Sequence, residues 1–344
     1  MGASLKPGDL APLTHTMLRV RVHAARAEAC DVVSLDLRPE GGGELPAFTA
    51  GSHIDVEVPV PGGPALMRQY SLSNDSAERH RYVIGVGRDA TSRGGSAFLH
   101  DAIRAGDTLR ISAPRNNFAL DESAAHSVLV AGGIGVTPLL AMARRLAALG
   151  KAWTLYYCVR TPARAAFIDT LLSLAASAGG QGRVVTVFDG MPGTAMLDLD
   201  AVVSGAPAGS HFYCCGPGPM LKAFEAATAG CDNGHVHVEW FAAPAPALAP
   251  ATTSGDGNFT VQLKRKNRSF KVPAGQSILD VLLDAGIDCD YSCREGLCGT
   301  CETRVLAGEP EHRDPVFASK KEPPKDRLFI CVSRCKGSEL VLDL

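Results

Sequence analysis

The sequence predicts three folded units in series: an antiparallel β-barrel, an α/β layer on a parallel sheet, and a small cysteine-bearing unit beyond a linker. Three observations carry that prediction. Residues from about 18 to 120 alternate apolar and polar side chains in short runs broken by Gly and Pro. From Ser127 onward strands alternate with helices, and two of the strands run straight into glycine turns. Residues 242–257, rich in Ala, Pro, Ser and Gly, then precede a segment holding Cys293, Cys298, Cys301 and Cys331. The boundaries expected are 14–122, 123–243, a linker over 244–257, and 258–344, and 344 residues suffice for three cores.

In the first unit Leu18, Val20 and Val22 alternate with Arg19 and Arg21; Val33, Leu35 and Leu37 with Ser34 and Asp36; and Ile54, Val56 and Val58 follow Gly51. Within it lie Arg68-Gln69-Tyr70-Ser71-Leu72 and, after a strand near 82–86, Arg93-Gly94-Gly95-Ser96. A cation, two glycines that let the backbone approach and a serine opening a helix at Ala97 make an anion nest of the kind a flavin phosphate needs. Tyr70 and Ser71 are suitable types for the face and rim of the flavin ring. The R-x-Y-S run alone is short, and a plain strand explains it equally well.

Ser127-Val128-Leu129-Val130-Ala131 reads as a buried parallel strand running into Gly132-Gly133-Ile134-Gly135. Thr137 is expected to cap the helix that follows, with Pro138 at its first position and Gly150 ending it. Strand, glycine turn and helix form the context in which a dinucleotide pyrophosphate meets a helix N-terminus, although G-x-G-x-x-G is incomplete. A second strand (153–159), a helix (163–178), strands at 184–188 and 211–215, and a second turn, Cys215-Gly216-Pro217, continue the layer. Ligands of such sheets bind beyond the carboxyl ends of the strands. His235 and His237 share one face of an expected last strand over 235–241 that ends in Trp240-Phe241; no metal is assigned to them.

The cysteines read C-x4-C-x2-C, then one remote cysteine, the ligand pattern of a plant-type [2Fe–2S] cluster. Gly296, Gly299 and Thr300 keep the loop small enough to wrap a cluster. Zinc sites pair their cysteines twice over and fit this spacing poorly. A disulfide framework needs an oxidising compartment. Cys289 and Cys335 miss the spacing and read as packing thiols. The last unit also shows a hairpin (Phe259, Val261 and Leu263 against Phe270 and Val272) and a helix capped by Ser277. Its basic run Lys264, Arg265, Lys266, Arg268 and Lys271 reads as a solvated hairpin tip.

A net charge of −2 argues against nucleic acid as the main partner. No run of eighteen apolar residues exists, and the first residues lack an apolar signal core and a myristoylation pattern. With eleven cysteines and no secretion signal, the expected compartment is the cytoplasm.

Laid out in order, these motifs resemble the phthalate dioxygenase reductase family, the single-chain reductases of Rieske-type oxygenases and O-demethylases. Their order is flavin domain, NAD domain, plant-type ferredoxin, and the last has a β-grasp fold. The resemblance covers nearly all of 14–344 and includes the runs from Arg68 to Asp75, Arg93 to Ser96, Gly132 to Pro138, Cys215 to Pro217 and Val341 to Leu344. It implies that Arg68, Gln69, Tyr70 and Ser71, with Gly85, Val86 and Gly87, lie along the flavin, and that Arg93, Gly94, Gly95 and Ser96 hold the FMN phosphate. Gly133, Thr137, Cys215 and Gly216 are implied to meet the nicotinamide nucleotide, and Phe241 to cover the flavin face. Cys293, Cys298, Cys301 and Cys331 are the implied ligands of the cluster.

Gln69 stands where the best-known members carry Thr, which bears on a hydrogen bond to the ring. The implied reaction passes a hydride from NADH to FMN and single electrons through the cluster to a separate oxygenase, with no essential general acid or base. Arg294 and Glu295 are expected to face that partner. FAD and NADPH remain alternatives; Arg160 and Arg164 at the second strand's end would allow NADPH. Two rival functions keep the same sequence: a reductase serving a desaturase or cytochrome P450, and a nucleotide-binding interaction module with a structural metal site. The aromatic substrate of the partner and the oligomeric state are not written in this chain.

Overall fold

A computed structural model describes residues 17–59, 65–88, 94–241, 257–318 and 322–344. Arg93 and most of the expected linker fall outside these residues. The apolar alternation of the N-terminal unit builds β1 (Leu18–Ala29), β2 (Val32–Pro39), β3 (His53–Val58), β4 (Leu66–Ser71) and β5 (Tyr82–Gly87), followed by α1 (Gly95–Asp101) and β6 (Thr108–Ile111). They form one antiparallel sheet in the order β4-β3-β6-β1-β2-β5. A Leu72–Ile84 bridge and the Ser73 N–H to Val83 carbonyl bond close it into a barrel. Val20, Val22, Leu35, Leu37, Ile54, Val56 and Val58 fill its interior as the period-2 pattern requires.

The middle unit runs β7 (His126–Gly132), α2 (Val136–Ala148), β8 (Ala152–Val159), α3 (Ile168–Ser177), β9 (Gly182–Phe188), α4 (Leu199–Ser204), β10 (His211–Cys215), α5 (Gly218–Ala227) and β11 (Val236–Glu239). Its five strands are all parallel in the order β11-β10-β7-β8-β9. The apolar faces of α2 and β7 share a core with Val32, Ala50 and Phe118 of the barrel, so these two units are packed as one body.

Some local expectations shift. A 3-10 turn over Gly133–Gly135 leads directly into α2, and Thr137 lies inside the helix with its hydroxyl donating to the Ile134 carbonyl at 3.0 Å instead of capping. The helix expected from 163 begins at Ile168, because 162–164 form a 3-10 turn and Phe167 enters the left-handed region at φ 58. His235 likewise sits in a 3-10 turn before β11, so the two histidines do not share a strand face. His237 faces His211 head to head, Nε2 to Nδ1 at 3.3 Å in nearly coplanar rings, a hydrogen-bond geometry.

The C-terminal unit contains β12 (Phe259–Leu263), β13 (Arg268–Val272), α6 (Ile278–Asp284), β14 (Glu302–Ala307), β15 (Pro310–Glu311), α7 (Pro315–Ala318), β16 (Arg327–Phe329), β17 (Arg334–Cys335) and β18 (Glu339–Leu342). Its sheet, β13-β12-β18-β14-β16, has one parallel pair at β12–β18 in an otherwise antiparallel set and α6 packed against it, the β-grasp arrangement. Ser277 caps α6 through the Asp280 N–H. Its core, with Cys289 and Cys335 inside as packing thiols, is built from residues 259–344 alone.

Candidate functional site

One cleft of about 1880 Å³ takes its walls from all three units. The barrel contributes Arg68, Gln69, Tyr70 and Ser71 of β4, with Gly85 and Gly87 of β5. Val86, between those glycines, is fully buried in the barrel interior and points away from the cleft, a correction that follows from strand alternation. Burial holds the Tyr70 phenol up at about 12 against the pull of Arg68, so it remains a neutral donor. The Arg68 side chain crosses the start of α1, where a Cβ on Gly95 would lie 3.0 Å from its Nε. Gly94, at φ 104, turns the chain into α1, whose first residues are Gly95 and Ser96; the helix therefore opens one residue before Ser96. Ser96 lines the same cleft.

The parallel layer supplies Ile134, Thr137, Glu239 and Phe241. Gly133, at φ 55, leaves open space where a Cβ would point, which is room for a ligand at the mouth of α2. Gly135 is pressed onto the Cys215 carbonyl, where a Cβ would come within 2.2 Å, and a Cβ on Gly216 would meet Gly132. The two glycine turns thus touch at the carboxyl ends of β7 and β10. Phe241 is exposed on the rim, at 43%.

Glu239 was not singled out from the sequence. Its carboxyl stands half-buried on the cleft wall at the end of β11, and desolvation pushes it up to about 8 despite the Cys215 thiol, 3.8 Å from its Oε2, and the nearby Ser71 hydroxyl. Burial also drives the Cys215 thiol well above its ordinary value. In both groups desolvation favours the protonated form. Ser71 Oγ makes no well-formed hydrogen bond among the described residues, although it is buried, leaving it for a ligand on the cleft side.

The third wall is the cysteine loop, with Tyr291, Ser292, Cys293, Leu297 and Cys298. Arg294 and Glu295, expected to face a partner, line the cleft as well. Three loop positions are left-handed, Arg294 at φ 58 and Gly296 and Gly299 at φ 72, and they curl the backbone round its sulfurs. Cys293 Sγ accepts N–H bonds from Glu295 at 3.3 Å and from Leu297 and Cys298 at 3.5 Å. Hydrogen bonding from the Cys298 thiol, followed by these amides, lowers its pKa to about 6.

Cys301 pairs with Cys331 in the same way, lowering Cys331, which also receives an amide from Gly296. Among the described residues no three His, Cys, Asp or Glu side chains are placed to hold a single ion. The four thiols instead form two pairs, Cys293–Cys298 and Cys301–Cys331, near enough for Cys298 to act on both members of the second. Two pairs with amides aimed at sulfur suit two irons bridged by sulfide better than one zinc.

Gln69 departs from expectation. Its amide nitrogen donates at 2.8 Å to Asp55 Oδ1 and at 2.8 Å to Ser292 Oγ, so both hydrogens are committed away from a flavin ring.

Comparison with known proteins agrees with this geometry. Residues 261–336 match the model of a 2Fe-2S iron-sulfur cluster binding domain, and 129–226 that of an oxidoreductase NAD-binding domain. The chain is 48% identical over 334 residues to the phenoxybenzoate dioxygenase subunit beta of Ectopseudomonas oleovorans, covering 97% of this chain and 99% of that one. It superposes on phthalate dioxygenase reductase, described as a modular structure for electron transfer from pyridine nucleotides to [2Fe-2S], with TM-score 0.66 and 40% identity over 95% and 98% of the two chains. It also matches an intact type IV self-sufficient cytochrome P450 monooxygenase with TM-score 0.85 and 36% identity, covering 95% of this chain and 41% of that one. Full-length likeness at this identity, joined to a β-barrel, a parallel NAD-binding layer and a β-grasp cluster unit in one order, shows that the chain belongs to the phthalate dioxygenase reductase family of oxidoreductases.

Proposed function

We propose that this chain takes a hydride from NADH onto FMN and delivers single electrons through a [2Fe–2S] cluster to a separate Rieske-type oxygenase. The observation that carries the reading is the shared cleft: barrel, nucleotide-binding layer and cysteine loop meet at one cavity large enough for flavin and nicotinamide together. FMN, stable with zero, one or two electrons, supplies the conversion of a hydride pair into single electrons.

The chain's own part is to bind and orient. Tyr70 and Ser71 meet the ring, while Arg68, Gly94, Gly95 and Ser96 receive the phosphate; Arg93 belongs to this set by sequence and lies outside the described residues. Gly133, Thr137, Cys215 and Gly216 hold the nucleotide, Phe241 shields the open rim, and Glu239 keeps a proton at its desolvated carboxyl. Cys293 and Cys298 hold one iron, Cys301 and Cys331 the other. The functional units are 14–122, 123–243 and 258–344, joined through 244–257. A single short nest beside α1 favours FMN over FAD. Arg164 is engaged by Asp31 at 2.9 Å, leaving Arg160 as the one cation of that pair for a 2′-phosphate, which favours NADH. None of the eleven cysteines is joined in a disulfide, which suits the cytoplasm. Among the described residues no helix is long and apolar enough to cross a membrane.

The test is anaerobic mixing of the purified holoprotein with NADH. Flavin bleaching followed by loss of the cluster bands, and then reduction of a Rieske oxygenase, is expected. A colourless protein, or cluster bands indifferent to NADH, refutes the reading. The likeness to a self-sufficient P450 favours a second acceptor, a P450 haem, and the same experiment with a P450 partner separates the two.

A further inference from the structure

We infer that Asp55, Gln69 and Arg115 of the barrel form a latch that positions the cysteine loop across the cleft. The inference rests on the reading above that this loop carries the cluster. Asp55, only 3% exposed on β3, is the centre of the latch. Its Oδ2 lies 2.7 Å from Arg115 Nη2, and its Oδ1 accepts from Gln69 Nε2 at 2.8 Å. The same Gln69 nitrogen reaches Ser292 Oγ, next to Cys293, and Arg115 Nε donates to the Cys298 carbonyl at 3.3 Å. A carboxylate offers only acceptors, so the Gln69 amide must turn its NH2 group to Asp55, and that choice aims its other hydrogen at Ser292. The latch is anchored on its own side: Arg115 and His53 exchange both backbone hydrogen bonds, and Ser112 bonds the Asp55 N–H. At Gly299 a Cβ would come within 2.9 Å of Asn117 Nδ2, so the missing side chain lets the barrel close on the loop.

The packing explains why these few bonds matter. Barrel and nucleotide-binding layer share one apolar core, whereas the core of the C-terminal unit contains no barrel residue. The orientation of that unit relative to the barrel therefore depends on polar contacts of the kind found at reversible interfaces. Each contact removed should release the loop without unfolding either side.

The test uses full-length Arg115→Lys and Ser292→Ala, with Gln69→Met as a third variant. Lysine keeps the charge beside Asp55 but lacks the fork that reaches the Cys298 carbonyl. Hydrogen exchange of the holoprotein over residues 290–299 is expected to quicken about fivefold per lost contact. In the holoprotein, cluster reduction after flavin reduction is expected to slow by about the same factor in Arg115→Lys and Ser292→Ala, with NADH-dependent flavin bleaching and the thermal midpoint unchanged. Gln69→Met and Ser292→Ala should be non-additive in exchange, since they remove one shared bond. Exchange and cluster reduction both within about twofold of the unsubstituted protein in all variants would overturn the latch. The unsubstituted protein's visible spectrum and bleaching by NADH separately test the reading on which it rests.

Discussion

Gly85 is the position at which a single methyl group should do most damage to the flow of electrons into the flavin. It lies on β5 facing α2, and a Cβ there would sit 2.6 Å from Thr137 Cγ2, 3.1 Å from Phe167 Cε2 and 3.3 Å from Ile134 Cδ1. Its backbone is outside the left-handed region, so the whole effect of Gly85→Ala is steric. Thr137 cannot swing aside, because its hydroxyl is bonded to the Ile134 carbonyl and its β-branch restricts χ1. Barrel and nucleotide-binding layer must therefore part by roughly 1 Å to restore carbon–carbon contact distance. Overpacking of this kind costs about 1–3 kcal/mol of stability. A 1 Å displacement of the nucleotide relative to the flavin should slow hydride transfer by about 100-fold. Anaerobic stopped-flow bleaching of the flavin by NADH measures that step, and the flavin released from the denatured variant shows whether FMN is still bound in full. Thr137→Ser, which deletes the clashing methyl, should recover most of the lost rate in the double variant. A Gly85→Ala protein that holds FMN and is bleached within about threefold of the native rate would refute the reasoning.

Replacing Cys298 with Ser should abolish the iron–sulfur absorption and electron delivery to the oxygenase, while leaving FMN reduction by NADH intact; spectra and single-turnover traces check both. Arg68→Ala should weaken FMN binding by about 10- to 100-fold, the worth of one charge-assisted phosphate contact, measured by flavin fluorescence. Glu239 titrates near 8 in the folded protein against an ordinary value of 4.5, so folding takes up a proton between those limits. Stability should therefore fall as pH rises from about 4.5 through about 8 and level off above, and Glu239→Gln should flatten that slope in denaturant titrations. An unchanged slope would show that Glu239 is solvated.

What could be read from the chain alone, and what could not, divides along one physical line. Val20, Val22, Leu35 and Leu37 announce their sheet face because a strand's period is a property of the strand itself. The cysteine spacing was legible for a similar reason: three of the four thiols sit in one short loop whose left-handed turns at Gly296 and Gly299 are set locally. Helix α3 starts later than its pattern suggests because Phe167 adopts a left-handed angle that its type does not advertise.

Glu239 reads as an ordinary polar residue at the end of a valine-rich strand, and is desolvated only where Cys215 and Ser71 converge on it from two other strands. Asp55 and His53 alternate with Ile54 and Val56, which by pattern places them toward water. Instead they are 3% and 5% exposed, because the barrel's outer face there is covered by a loop more than two hundred residues away in sequence. Gln69 sits in the same position. Its departure from the family's usual Thr read as a change at the flavin ring, whereas its amide is spent on Asp55 and Ser292. A sequence states what each segment needs to bury; which foreign segment meets that need is a property of the assembled units. The residues that couple one cofactor site to the next are of this second kind.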